Sequence, residues 1–232
     1  MKTIGLIGGM SWEASAEYYR IINEAVRDRL GGSHSCKSLM FTVDFAEIET
    51  LQQQGRWSAA TDIMIAVAQQ LEVGGADCVL ICANTMHKMA DEVQAAIHIP
   101  LLHIADATGE AVKATGLHKL GLLGTRYTME QDFLTGRLTK QHGLEILVPG
   151  PDERTLVHQV IYEELILGKI NPASRAAYLS IIDGLARNGA EGIILGCTEI
   201  GLLIKQEDCA LPLFDTTPIH ALAGVDFALA AE

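Results

Sequence analysis

Positive charge is scarce in this sequence: 17 lysines and arginines stand against 29 aspartates and glutamates in 232 residues, a formal net charge of −12. Surfaces that hold nucleic acid or an anionic membrane need clustered Lys and Arg, so the balance argues against both partners and for a small molecule. Cysteines number five, Cys36, Cys78, Cys82, Cys197 and Cys209, with no C-x-x-C pair. An odd set without framework spacing removes a disulfide scaffold and points to a reduced, cytoplasmic compartment. Long apolar runs are also missing. The stretch behind "MKTIGLIGGMSWEAS" is too short for a signal peptide core, and no later run approaches the ~18 residues of a membrane span. The eight histidines form no H-x-x-x-H or H-E-x-x-H arrangement, and the acidic residues show no metal-ligand spacing. "GLIGG" lacks the dinucleotide fingerprint and "GTRYTMEQ" is no P-loop, so neither a metal nor NAD is expected as a cofactor.

What the sequence does contain is alternation. "TIGLIG", "SLMFTVDF" and "CVLICAN" are short apolar strands separated by "SWEASAEYYRIINEAVRDRLGG" and "SAATDIMIAVAQQLEVGGA", which carry apolar residues at helical spacing. Such a β-α-β-α-β series predicts an α/β fold with mainly parallel sheets flanked by helices and function at the carboxyl ends of the strands. The second half repeats the first. "IGLIGGMSW" from Ile4 matches "LGLLGTRYT" from Leu120, "GADCVLICANT" from Gly75 matches "GAEGIILGCTE" from Gly189, and "IPLLHIAD" from Ile99 matches "LPLFDTTP" from Leu211. Offsets of 116, 114 and 112 in the same order indicate a duplicated unit. The expectation is two pseudo-symmetric lobes, residues 1–97 with 211–232 and residues 98–210, with the active site in the cleft between them.

The repeat assigns positions. Aligning Gly75 with Gly189 sets Ala83, not Cys82, opposite Cys197. Because successive strand side chains alternate, Cys82 should be buried on the other face. Cys197 lies between Gly196 and Thr198-Glu199, where a helix is expected to begin, and a helix N-terminus would hold the thiol as a thiolate base. "GGMSWE" and "GTRYTM" end the first strand of each half, and "ANT" and "CTE" supply backbone N–H groups and hydroxyls at later strand ends, a set of donors suited to a carboxylate. His87, one turn beyond Asn84, reads equally as a general acid, a substrate contact or a satisfied buried histidine. The run "DERTLVHQVIYEEL" reads as a solvated helix face.

At "GLIGGMSWEAS", "ANTMHK", "HIADATG", "LLGTRYTMEQDF" and "GCTEIGLL" the chain resembles the aspartate/glutamate racemase superfamily over essentially its whole length. It is most similar to the enterobacterial members acting on L-aspartate and L-glutamate. The resemblance implies an amino-acid racemase without pyridoxal phosphate or metal, active on an amino-acid or dicarboxylate substrate and forming a homodimer. It further implies Cys197 as the acid/base on the L face, with Met10, Gln52, Asn84, Thr85, His87, Thr125, Thr198 and Glu199 lining the substrate. Two departures stand out. Ala83 occupies the place of a second cysteine, and Gln52 and Ile166 occupy the places of an arginine and a lysine that hold a distal carboxylate in many aspartate racemases. A single-cysteine decarboxylase and a weakly active amino-acid or dicarboxylate binding protein are the alternatives.

Overall fold

β1, Ile4–Gly8, is buried at every position, and the reason is visible in its neighbours. A computed structural model describes residues 1–230 and gives β1 the central place in a three-stranded parallel sheet, between β2 (Ser38–Thr42) and β3 (Cys78–Ile81). A strand paired on both edges and covered on both faces has to be apolar throughout. The covering helices in this first unit are α1 (Trp12–Leu30), α2 (Phe45–Gln53), α3 (Trp57–Val73) and α4 (Ala90–Ala95). The second unit contains all but the first residue of α5 (Ile104–Lys113), then β4 (Lys119–Gly124), α6 (Arg126–Glu130), α7 (Asp132–His142), β5 (Glu145–Leu147) and α8 (Pro151–Glu163). It continues through α9 (Pro172–Arg187), β6 (Gly192–Gly196), α10 (Ile200–Leu203) and β7 (Leu213–Asp215), and α11 (Thr216–Leu229) returns the chain to the first unit. Its sheet is four-stranded and parallel, in the order β5-β4-β6-β7.

The α/β class with parallel sheets and flanking helices is as the alternation predicts. The boundaries between units differ from those expected. The first unit comprises Met1–Ile104 and the chain from His220 on, and the second Ala105–Ile219, so each crossing falls several residues later than at 98 and 211. The cause is pairing. Leu101 makes a parallel bridge to Val79, and β7 pairs with β6 along Leu195↔Asp215, so each connecting segment adds to the sheet it is leaving before the chain departs.

Within each unit, strand alternation sorts the side chains by face. Cys78, Leu80 and Cys82 pack with Tyr18, Ile22 and Val225 on one face of the first sheet, while Val79, Ile81 and Ala83 pack with Met64, Val67 and Met86 on the other. In the second unit Ile193, Leu195 and Cys197 share one cluster with Tyr178, Ile181 and Ile200. Ala83 and Cys197 thus hold the same parity on equivalent strands, which is what the repeat alignment requires of each.

The turn after β1 depends on Gly9. Its φ is +96°, and a Cβ there would lie 2.1 Å from the Val43 carbonyl oxygen. Any side chain meets both a left-handed backbone and a main-chain clash. Gly9→Ala is expected to destabilise the fold by on the order of 3 kcal/mol, read as a lowered urea midpoint with an unchanged slope.

Candidate active site

The first unit gathers its expected residues at the carboxyl end of its sheet. Met10 follows Gly8-Gly9, and the Ser15 hydroxyl accepts from Gly9 N–H at 2.8 Å while donating to the Ser11 carbonyl at 2.9 Å. Ser11 in turn caps α1 by accepting from Ala14 N–H at 3.3 Å. Beyond β3, Ala83 and Asn84 lead into a 3-10 turn, Thr85–Met89, rather than directly into an α-helix. Gln52, near the end of α2, donates from Nε2 to the Met86 sulfur at 3.2 Å. Met10, Gln52, Ala83, Asn84 and Thr85 are all buried.

His87 is built into the frame. Its Nε2 accepts from Ile104 N–H at 3.2 Å, so the ring proton must sit on Nδ1, which donates to the Ala83 carbonyl at 2.8 Å. Both nitrogens are occupied and the residue is buried, which selects the satisfied buried histidine among the three readings of the sequence. Beside it, at a ring separation of 5.4 Å, His220 donates from Nε2 to the Leu102 carbonyl at 2.7 Å and accepts the Tyr18 hydroxyl on Nδ1 at 2.8 Å. The His103 ring lies tilted against His87, with centroids 4.7 Å apart. His87 therefore positions the backbone on which Ala83 and the start of α5 depend.

Burial makes these histidines acid-sensitive. His220 is pushed down from 6.5 to about 4, and burial followed by the fields of His103 and His220 holds His87 well below its usual range. The native state binds fewer protons than the unfolded chain across this window, so stability is fully present above pH 6.5 and falls as pH drops toward 4. For His220 alone the loss is about 3 kcal/mol over the full window. Urea midpoints should fall steadily from pH 7 to pH 5, and His220→Gln should be less stable at pH 7 but show a flatter slope.

The second unit presents its residues on adjacent strands. Gly124 of β4 pairs with Gly196 of β6, so Thr125 and Cys197 are the next residues on neighbouring parallel strands. Thr125 caps α6, accepting from Thr128 N–H at 3.3 Å. The Cys197 thiol donates to Glu199 Oε2 at 3.0 Å, and the Thr198 hydroxyl donates to the same oxygen at 2.6 Å. Cys197 and Glu199 are only 7% and 4% exposed, so this pair is shielded from bulk water.

That geometry corrects the expected thiolate. α10 is a single turn of four residues, too short to build a useful helix dipole, and the thiol is buried. Burial pushes the Cys197 pKa well up, and the Glu199 carboxylate pushes it further, with Asp215 contributing in the same direction. At rest the group is a neutral thiol whose proton is held toward a carboxylate. Cys82, by contrast, is fully buried among apolar residues, with its pKa raised by burial alone.

Two residues that shape this site escaped the sequence reading. Tyr178 packs in the same cluster as Cys197 and donates its hydroxyl to the Val157 carbonyl at 2.9 Å. Nothing in its helical surroundings marks it. Asp215 ends β7 beside Leu195, and a Cβ at Gly201 would lie 2.4 Å from its carboxylate, so a glycine is needed for the approach. A signal for Asp215 existed, since the repeat sets it against His103. Among the described residues no group of three or more His, Cys, Asp or Glu could hold a metal ion, and no helix is long and apolar enough to cross a membrane.

Comparisons with known proteins identify the family. Residues 7–224 match the family model described as Asp/Glu/Hydantoin racemase. The chain is 24% identical over 169 residues to the broad specificity amino-acid racemase RacX of Bacillus subtilis (strain 168), covering 71% of this chain and 70% of that protein. Among solved structures it is similar to a candidate Asp/Glu racemase from Yersinia pestis, at 52% identity and a TM-score of 0.93, covering 99% of this chain and 100% of the other. It is also similar to an aspartate racemase homologue from Pyrococcus horikoshii OT3, at 33% identity and a TM-score of 0.86, again over 99% and 100% of the two chains.

Proposed function

Because the chain belongs to the Asp/Glu/hydantoin racemase family, we propose that it is an amino-acid racemase of the aspartate/glutamate type in which Cys197 moves the α-proton on the L face. The observation that carries the assignment is the hydrogen bond from the Cys197 thiol to buried Glu199. An α-hydrogen is weakly acidic, and a neutral thiol cannot remove it. Transfer of the thiol proton to Glu199 Oε2 generates the thiolate, which then takes the α-proton and becomes a thiol again, while the electron pair passes into the α-carboxylate. Thr125 and Thr198, with the backbone N–H groups of their turns, are the donors proposed to stabilise that enolate-like state. These side chains supply the acid, the base and the donors, and the reading invokes no cofactor.

Inversion needs a second proton donor on the other face, and the equivalent position carries Ala83. Alanine has no exchangeable side-chain proton. L-Aspartate or L-glutamate should therefore exchange its α-hydrogen with deuterated solvent faster than it yields the D-enantiomer, and D-substrates should exchange poorly. NMR loss of the α-proton signal, run beside chiral chromatography, tests this. Equal rates of exchange and inversion from both enantiomers would show that another residue supplies the second base, and no exchange from any amino acid would leave a binding protein. The lone thiol also suits a decarboxylase that protonates one face only. Carbon dioxide release from a substituted malonate, without α-hydrogen exchange of amino acids, would favour that second reading.

A further inference from the structure

Arg126 stands apart from most of the arginines of this acidic chain. Arg20, Arg27, Arg29, Arg137, Arg154 and Arg175 are each paired with a carboxylate. Among the described residues Arg126 makes no ion pair, and of the arginines in that state it is the one directly following the carboxyl end of a strand. It is exposed and is the first residue of α6, two residues beyond the end of β4, the strand adjacent to β6, which ends one residue before Cys197.

The surroundings of Arg126 are built rather than accidental. Its backbone N–H donates to His158 Nδ1 at 3.3 Å, which leaves the ring proton on Nε2. That Nε2–H has no hydrogen-bond partner among the described residues. The Tyr127 ring meets His158 edge-on at 6.1 Å and the Tyr162 ring tilts against it at 4.6 Å, so the imidazole is held in one orientation between two aromatic side chains. His158 and Tyr162 lie four residues apart on α8, on a stretch whose sequence reads as a solvated face, yet His158 is half-buried and packed. Glu130, the nearby carboxylate that acts on His158, is already paired with Arg154. The corner thus holds one uncompensated guanidinium and one oriented N–H donor.

We infer that Arg126, with the His158 Nε2–H beside it, recognises the distal carboxylate of a dicarboxylic amino acid at the carboxyl end of β4. The inference rests on the racemase reading for its substrate, and it replaces the cations that Gln52 and Ile166 do not provide. A guanidinium matches a carboxylate through two parallel N–H···O bonds, and the low density of positive charge elsewhere sharpens discrimination against neutral substrates.

The test is binding of succinate by the full chain, followed by calorimetry, with butyrate as the single-carboxylate control. Arg126→Met should weaken succinate about tenfold or more and leave butyrate unchanged, and Arg126→Lys, which keeps the charge but loses the fork, should fall between. Saturating succinate should also raise the His158 titration midpoint in the unmodified protein, read by ring-proton NMR, but not in Arg126→Met. Undiminished succinate binding in Arg126→Met, a parallel loss of butyrate, a His158 midpoint that does not move, or no succinate binding by the unmodified protein would each overturn the inference. Exchange of L-aspartate in deuterated water is scored separately. Its absence alongside Arg126-dependent succinate binding defeats the racemase reading alone, whereas its presence alongside Arg126-independent binding defeats the anion corner alone.

Discussion

Cys197→Ser is expected to reduce α-hydrogen exchange of L-aspartate by about a thousandfold or more, to the level of the uncatalysed control. The substitution keeps the size and the hydrogen bond to Glu199, which lies 3.0 Å from the thiol, so the loss isolates proton affinity rather than geometry. A serine hydroxyl is far harder to deprotonate than a thiol, whose ordinary pKa of about 8.5 is already raised here by burial and by Glu199. Glu199 cannot take a proton from an alkoxide precursor at useful population, and the α-hydrogen stays in place. Circular dichroism and a urea midpoint near that of the unmodified protein would show that the fold persists. Cys82→Ser provides the contrast. Cys82 lies on the other face of its strand among Tyr18, Leu80 and Val225, so exchange should survive while stability falls by about 1–3 kcal/mol for an under-satisfied hydroxyl. Retained exchange in Cys197→Ser, or its loss in Cys82→Ser, would remove Cys197 from the mechanism.

Ala83→Cys is expected to act in the opposite direction, raising the rate of inversion at least tenfold relative to exchange and opening the D-to-L direction. The position is prepared for it. Ala83 lies just beyond β3 with the same parity as Cys197 just beyond β6, packs in a cluster with Met10 and Met86, and has its carbonyl held by His87. Adding a sulfur at a site only 7% exposed crowds a packed cluster, so the cost in stability should be about 1–3 kcal/mol. Chiral chromatography from both enantiomers reads the result. A variant that folds normally, exchanges L-aspartate as before and still fails to invert would show that the backbone at position 83 is not placed to serve as the second base.

Much of this was legible in the linear sequence because it depends on local periodicity and on duplication. Strand alternation predicted that Cys82 and Ala83 would part to opposite faces, and the packing of Tyr18 and Val225 on one side and Met64 and Met86 on the other follows that rule. The parallel α/β class came from the alternation of strands with amphipathic helices. The position of the crossings was not legible, because it turns on single hydrogen-bonded contacts such as Val79 to Leu101, which carry no pattern in composition.

The state of each ionisable group was decided by tertiary structure alone. "GCTEIGLL" placed a cysteine beside a helix-like segment, but only the fold made that helix one turn long, buried the thiol and turned Glu199 back onto it. "ANTMHK" placed a histidine near the strand end, but only the arrival of Ile104 N–H and the Ala83 carbonyl fixed its tautomer and occupied both ring nitrogens. A sequence determines which residues reach a strand end and which face they take, because both follow from short-range geometry. What those residues do there depends on desolvation and on charges brought from distant parts of the chain, and these exist only once the chain is folded.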